Sequence, residues 1–307
     1  MTEREIVLAS AGHELAGTLL LPDARPPLAA ALLLPGSGPV DRNEDHGKLP
    51  LGVTRLLAGA LAEAGAASFR YDKRGVGASP GDWRAAGMSD EHGDARAALG
   101  VLAAQPEVDP GRIAVVGHSA GAFHAARLAA EDGRLRAAVL LAGAARDGDA
   151  VLRWQAAAIQ PTLPRAVRLL LRLQLTDLPR RQAATIRALR ASTRDVARIG
   201  GARLNAGWLR EFLDWDPRAD LVRARVPVLA ITGEHDLQVP PEDLEVMARL
   251  LGEGGETYLA PGVSHVLRRV RGRPSLTAYR REAREPLAAD VVERVVRWVV
   301  DPPPLPG

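Results

Sequence analysis

Of the 307 residues, one serine, one aspartate and one histidine have the surroundings that nucleophilic chemistry needs. Ser119 is the centre of Gly117-His118-Ser119-Ala120-Gly121. A serine hydroxyl is a poor nucleophile until a base takes its proton, and a carboxylate that fixes the tautomer makes that base effective. Asp236 ends Gly233-Glu234-His235-Asp236, and His265 ends Pro261-Gly262-Val263-Ser264-His265. Each of the three stands just past a stretch that reads as a strand: Ile113–Val116, Val226–Thr232 and Glu256–Ala260.

The competing residues fit less well. His13, His46, His92, His118, His124 and His235 lack the chain order and strand-end setting of His265, and His118 and His235 read as packing neighbours. Glu234 is nearer the strand end than Asp236. Asp243 falls in the first turn of the next helix, where an acid suits the helix dipole. Asp236 is the preferred acid. Acyl transfer also needs N–H donors aimed at the oxyanion. By position these are the backbone amides of Ala120 and Ser37, with Gly38 as the alternative to Ser37.

The elements that must position these groups follow from pattern. Ile113–Val116 is all apolar and rich in β-branched residues, as a strand buried on both faces should be, and Ala122–Glu131 continues as a helix. Glu3–Ser10 and Leu15–Leu21 read as an antiparallel hairpin. Strands are expected at 30–34, 67–72, 137–142, 226–232 and 256–260, and helices at 51–64, 89–104, 241–251 and 286–300. Strands alternating with helices make an α/β fold with a mostly parallel, doubly covered sheet and an antiparallel N-terminal edge. From Arg146 to Leu221 the rhythm stops, and the chain reads as helical throughout. The expected organisation is a core of residues 1–145 and 222–301, a helical cap at 146–221 and a disordered tail at 302–307.

Composition narrows the function. Aromatics are only 4%, and the net charge of +3 is carried almost wholly by dispersed arginine, so no nucleic-acid surface is expected. Lys48 and Lys73 are the only lysines. The absence of cysteine excludes disulfides, thiolate metal sites and cysteine nucleophiles. No signal peptide is visible, and no apolar run approaches the ~20 residues of a membrane span. The expectation is a soluble cytoplasmic protein that needs no cofactor or metal, takes a small-molecule acyl substrate and has no membrane partner, with a homodimer as the assembly to look for. Gly36-Ser37-Gly38-Pro39 has no following Gly-Lys-Ser/Thr and is no phosphate loop. Asp41, Glu44, Asp45 and His46 read as solvated or turn-forming rather than as a metal cluster.

Taken together, these motifs resemble the α/β-hydrolases, whose triads run in the order Ser119, Asp236, His265. Within them the chain is similar to bacterial serine carboxylesterases with a G-S-G-P-x-D-R-N loop, here Gly36–Asn43. Tyr71–Ser79, Val108–Gly121, Gly233–Asp236 and the segment around Ser264 carry the same likeness. The resemblance implies an α/β-hydrolase fold with an inserted cap, and a serine hydrolase that forms an acyl-enzyme on Ser119. Ser264 stands where that group often has Asn. Thioesterase, aminopeptidase-like amidase and lactonase activities use the same triad, and a non-catalytic ligand-binding role on this fold stays open.

Overall fold

A computed structural model describes residues 1–47 and 49–304. The strands of its main sheet are β1 (Thr2–Ser10), β2 (His13–Leu21), β3 (Leu28–Leu34), β4 (Ala67–Tyr71), β5 (Val108–His118), β6 (Leu135–Leu141), β7 (Val228–Gly233) and β8 (Gly255–Ala260). Their order is β1-β2-β4-β3-β5-β6-β7-β8. β1 pairs antiparallel with β2, and β2 with β4; the remaining pairings are parallel.

Both faces of this sheet are covered, which is why its central strands are unbroken apolar runs. Leu32, Val115, Leu140 and Ala230 face one core with α2 (Met88–Ala103), α3 (Ala120–Glu131) and α9 (Asp243–Leu251). Their neighbours Leu33, Val116, Leu141 and Leu229 face the other, against α1 (Val53–Glu63) and α11 (Ala289–Val300). Parallel pairing puts the C-terminal ends of β3, β5, β7 and β8 along one edge, where the loops bearing Ser37, Ser119, Asp236 and His265 emerge.

The chain between β6 and β7 carries α4 (Gly148–Ile159), α5 (Arg165–Leu173), α6 (Leu178–Ala191), α7 (Ala206–Asp214) and α8 (Arg218–Val222). α10 (Tyr279–Glu282) lies beyond His265. The expectation of helices alone from 146 to 221 is corrected here. Val196–Ile199 and Ala202–Asn205 form an antiparallel hairpin. Its turn is Gly200-Gly201, with φ of 59° and 87°, the left-handed pair that a two-residue hairpin turn requires. The expected tail at 302–307 lies partly outside the described residues; Pro303 is held by Arg136, which donates to its carbonyl at 3.0 Å.

One contact ties the stretch between β6 and β7 to the loop before α2, and another packs its own helices together. Asn205 caps α7 by accepting from the Trp208 amide at 3.0 Å, and its Nδ2 donates to the carbonyls of Trp83 and Ala86. Gly148 lets α4 meet α7 backbone to side: a Cβ there would lie 2.0 Å from the Phe212 carbonyl oxygen. Among the described residues no helix is long and apolar enough to cross a membrane.

Gly148→Ala should therefore destabilise the fold by about 1–3 kcal/mol, the usual cost of overpacking. Thermal unfolding should show a midpoint several degrees lower. Gly133→Ala, where a Cβ meets nothing within 4 Å, is the control and should match the wild type.

Candidate active site

Ser119 sits between β5 and α3 with φ 54° and ψ −117°, a left-handed conformation that a side chain resists, at a cost of ~1–3 kcal/mol. Close backbone approach on both sides enforces it. A Cβ on Gly117 would lie 2.1 Å from the Gly121 oxygen, and one on Gly121 would lie 2.3 Å from the Leu34 oxygen. The Ser119 amide donates to the Leu141 carbonyl at 2.8 Å. The hydroxyl is thereby lifted above the sheet edge, and the Ala120 amide opens the N-terminus of α3, where helix amides favour negative charge.

The structure brings Asp236 and His265 to this serine. His265 Nε2 is 3.0 Å from Ser119 Oγ. Its Nδ1 is 2.8 Å from Asp236 Oδ2 and 3.1 Å from Oδ1. Asp236 is buried and also accepts from the amides of Gln238 and Val239, so its carboxylate is held independently of the imidazole. Gly233 is required because a Cβ would lie 2.2 Å from the Val263 oxygen, which joins the acid-bearing and histidine-bearing loops. The competing acids are engaged elsewhere: Glu234 accepts from the Gly262 amide, and buried Asp243 accepts from Arg146 and the Ala145 amide. Ser264 donates to Glu282 of α10 at 2.7 Å, which gives its hydroxyl a use in anchoring the histidine loop.

Behind these three lies a layer that sequence reasoning missed. His118 is no mere packing residue. Its Nε2 donates to the His265 carbonyl at 2.8 Å, and its Nδ1 is 2.6 Å from Glu44 Oε1. Burial alone would lower the His118 pKa, but the Glu44 carboxylate and the His265 carbonyl more than offset it, and the net shift is upward. An imidazolium donating from both nitrogens satisfies both acceptors. Glu44, expected to be solvated or turn-forming, does close a turn, its amide donating to the Asp41 carbonyl at 2.9 Å, but it is only 2% exposed and also accepts from the Gly36 amide at 2.8 Å. Asp41 does form turns, accepting from the amides of Asn43 and Asp45. The missed signal was local: Glu44 follows the Gly36-Ser37-Gly38 loop closely enough to fold back on it. Among the described residues no group of three or more His, Cys, Asp or Glu is placed to hold a metal.

A cavity of about 120 Å³ opens onto Ser119, with Ser37 and Ala120 in its wall. Phe123, Val151, Leu152, Trp208, Phe212 and Val239 make it apolar. Trp208 stacks on Phe212 at 5.1 Å between ring centroids. Trp215 instead packs edge-on against His92 and His124. A second cavity of about 190 Å³ shares Ser37, Trp208 and Leu209 with the first and reaches Trp83 and Glu91. A larger groove, about 870 Å³ beside α1 and α11, is open and is lined by none of the three central side chains.

This sheet order and this serine at the end of β5 define an α/β-hydrolase fold. The chain belongs to the Hydrolase_4 family, described as serine aminopeptidase, S33, whose profile matches residues 51–269. It is 24% identical over 293 residues to the esterase EstD of Thermotoga maritima, an alignment covering 93% of this chain and 65% of EstD. Two solved structures show the same fold. The α/β hydrolase GrgF from a Penicillium species has a TM-score of 0.64 at 19% identity, over 97% of this chain and 98% of its own. A proline iminopeptidase of Mycobacterium smegmatis has a TM-score of 0.64 at 17% identity, over 96% and 97%.

The His118 environment predicts a pH dependence of stability. A raised folded pKa means that the stabilisation is fully present below the unfolded value of about 6.5 and is lost as pH rises through the folded value. The difference in denaturation midpoint between the wild type and His118→Gln should be largest near pH 6 and narrow toward pH 9.

Proposed function

We propose that the protein is a serine carboxylesterase acting through an acyl-enzyme on Ser119. One observation carries the reading: a single imidazole within hydrogen-bonding distance of a strained serine hydroxyl on one side and a buried carboxylate on the other. In the catalytic cycle His265 takes the Ser119 proton as Oγ attacks the ester carbonyl. Asp236 holds the imidazole in the tautomer with hydrogen on Nδ1 and stabilises the imidazolium that forms. The Ser37 and Ala120 amides receive the oxyanion. Collapse of the tetrahedral adduct breaks the carbon–oxygen bond, and His265 returns the proton to the departing alcohol. Water then attacks the acyl-enzyme by the same route, releasing the acid and restoring Ser119. No step calls on a cofactor.

The cavity walls favour an ester with a small, uncharged acyl group. About 120 Å³ is small beside the ~300–1,000 Å³ usual for ligand sites; among the described residues its wall contains no carboxylate to receive a free amino end, and Glu91 of the adjoining cavity is already paired with Lys73. That weighs against an aminopeptidase, although the family description and the iminopeptidase likeness keep amide hydrolysis as the second reading. EstD and the G-S-G-P-x-D-R-N loop support the ester reading. In this reading the 146–221 insertion is a cap that sets acyl preference, since Val151, Leu152, Trp208 and Phe212 all come from it.

Ser119→Ala should reduce p-nitrophenyl butyrate hydrolysis to background and abolish labelling by a fluorophosphonate. Asp236→Asn should lower kcat by about 10⁴-fold. Greater kcat/KM on aminoacyl anilides or acyl-CoA thioesters than on p-nitrophenyl esters would overturn the ester assignment. Phe212→Ala should shift the preferred acyl chain toward greater length, read from kcat/KM across a p-nitrophenyl ester series.

A further inference from the structure

We infer that Lys73 is a positioning residue for the oxyanion hole: its buried ammonium grips the Gly36 carbonyl and thereby aims and polarises the Ser37 amide. The inference rests on the serine-hydrolase reading above and names a group that the triad does not contain.

Lys73 lies just beyond β4 and is 7% exposed. Its Nζ donates to the Gly36 carbonyl oxygen at 2.7 Å. The other side of Gly36 is held as well, by the bond from its amide to Glu44. Across a trans peptide the carbonyl of one residue and the N–H of the next point in opposite directions. Fixing the Gly36 carbonyl toward Lys73 therefore fixes the Ser37 N–H away from Lys73. Gly36 itself packs against the nucleophile, since a Cβ on it would lie 3.4 Å from Ser119 Cβ. A cation on the carbonyl also polarises the peptide group and strengthens its N–H as a donor, because linked hydrogen bonds reinforce one another.

The ammonium is anchored in turn. Glu91 Oε1 is 3.1 Å from Nζ. Burial would raise the Glu91 carboxyl, but Lys73 and His124 pull it down to about 2, so it is ionised at neutral pH. Glu91 belongs to the first turn of α2, whose packing on the sheet gives the pair a rigid base. The choice of side chain supports the role. This chain has 40 basic residues of which only Lys48 and Lys73 are lysines. A compact ammonium can bond a carbonyl on one side and a carboxylate on the other, whereas a planar guanidinium is built for forked pairing.

The test uses three variants and two kinds of readout. Lys73→Met should lower kcat and kcat/KM of p-nitrophenyl butyrate hydrolysis together, by about 10²-fold, the scale of losing one oxyanion donor. Affinity for a trifluoromethyl ketone, whose serine adduct carries an oxyanion, should fall by a similar factor, while KM stays near the wild-type value. A packing role alone would not tie these two losses together. Because Lys73→Met strands the Glu91 charge, Lys73→Met/Glu91→Gln removes both partners and should show the same losses. Full activity in the single or the double variant, or an unchanged ketone affinity, overturns the inference. Ser119→Ala separates the two levels: if it still hydrolyses the ester, the serine-hydrolase reading fails; if it is inactive while Lys73→Met is not impaired, only the Lys73 role fails.

Discussion

Ser119 holds a left-handed backbone that its side chain resists, and the surrounding elements are arranged to keep it there. Gly117 and Gly121 can have no Cβ, and the Leu141 carbonyl fixes the serine amide from the neighbouring strand. The strain of ~1–3 kcal/mol persists only because the flanking strand and helix are themselves buried in the two cores. The doubly covered sheet thus supplies the rigidity that a lone tight turn lacks. Its payoff is geometric: the hydroxyl projects into the space that the loops after β7 and β8 reach from the side.

Those loops are held by backbone as much as by side chains. His265 is fixed through its own carbonyl by His118, the residue directly before the serine. His118 is fixed by Glu44, and Glu44 by the Gly36 amide. One carboxylate therefore ties three distant stretches together: the loop after β3, the elbow after β5 and the histidine loop after β8. Buried charge is tolerable here because each ion faces an opposite charge or an aligned dipole.

The fold and the three central residues were legible because their signals are local. Apolar runs mark the buried strands that lead to Ser119 and Asp236, whereas His265 follows the half-buried edge strand β8 and was placed by its order in the chain. Glu44, His118 and Lys73 were not legible in the same way. Their partners include main-chain carbonyls and amides, which every residue possesses, so that only the nearness of Glu44 to the Gly36-Ser37-Gly38 loop hinted at any of them. The hairpin at 196–205 was overlooked for a different reason: its four-residue strands are half exposed and rich in arginine, so only Gly200-Gly201 announced it.

Half of the wall facing the hydroxyl comes from the stretch between β6 and β7, whereas Ser119, Asp236 and His265 stand on loops that leave the sheet's strands. Asn205 pins that stretch to the Trp83 and Ala86 carbonyls through its own side chain. Exchanging Leu152 or Trp208 would accordingly recut the chamber without touching the hydrogen-bonded line from Ser119 through His265 to Asp236. The shape of the chamber and the side chains at its floor are thus anchored in separate parts of the molecule, and a change in one leaves the other's supports in place.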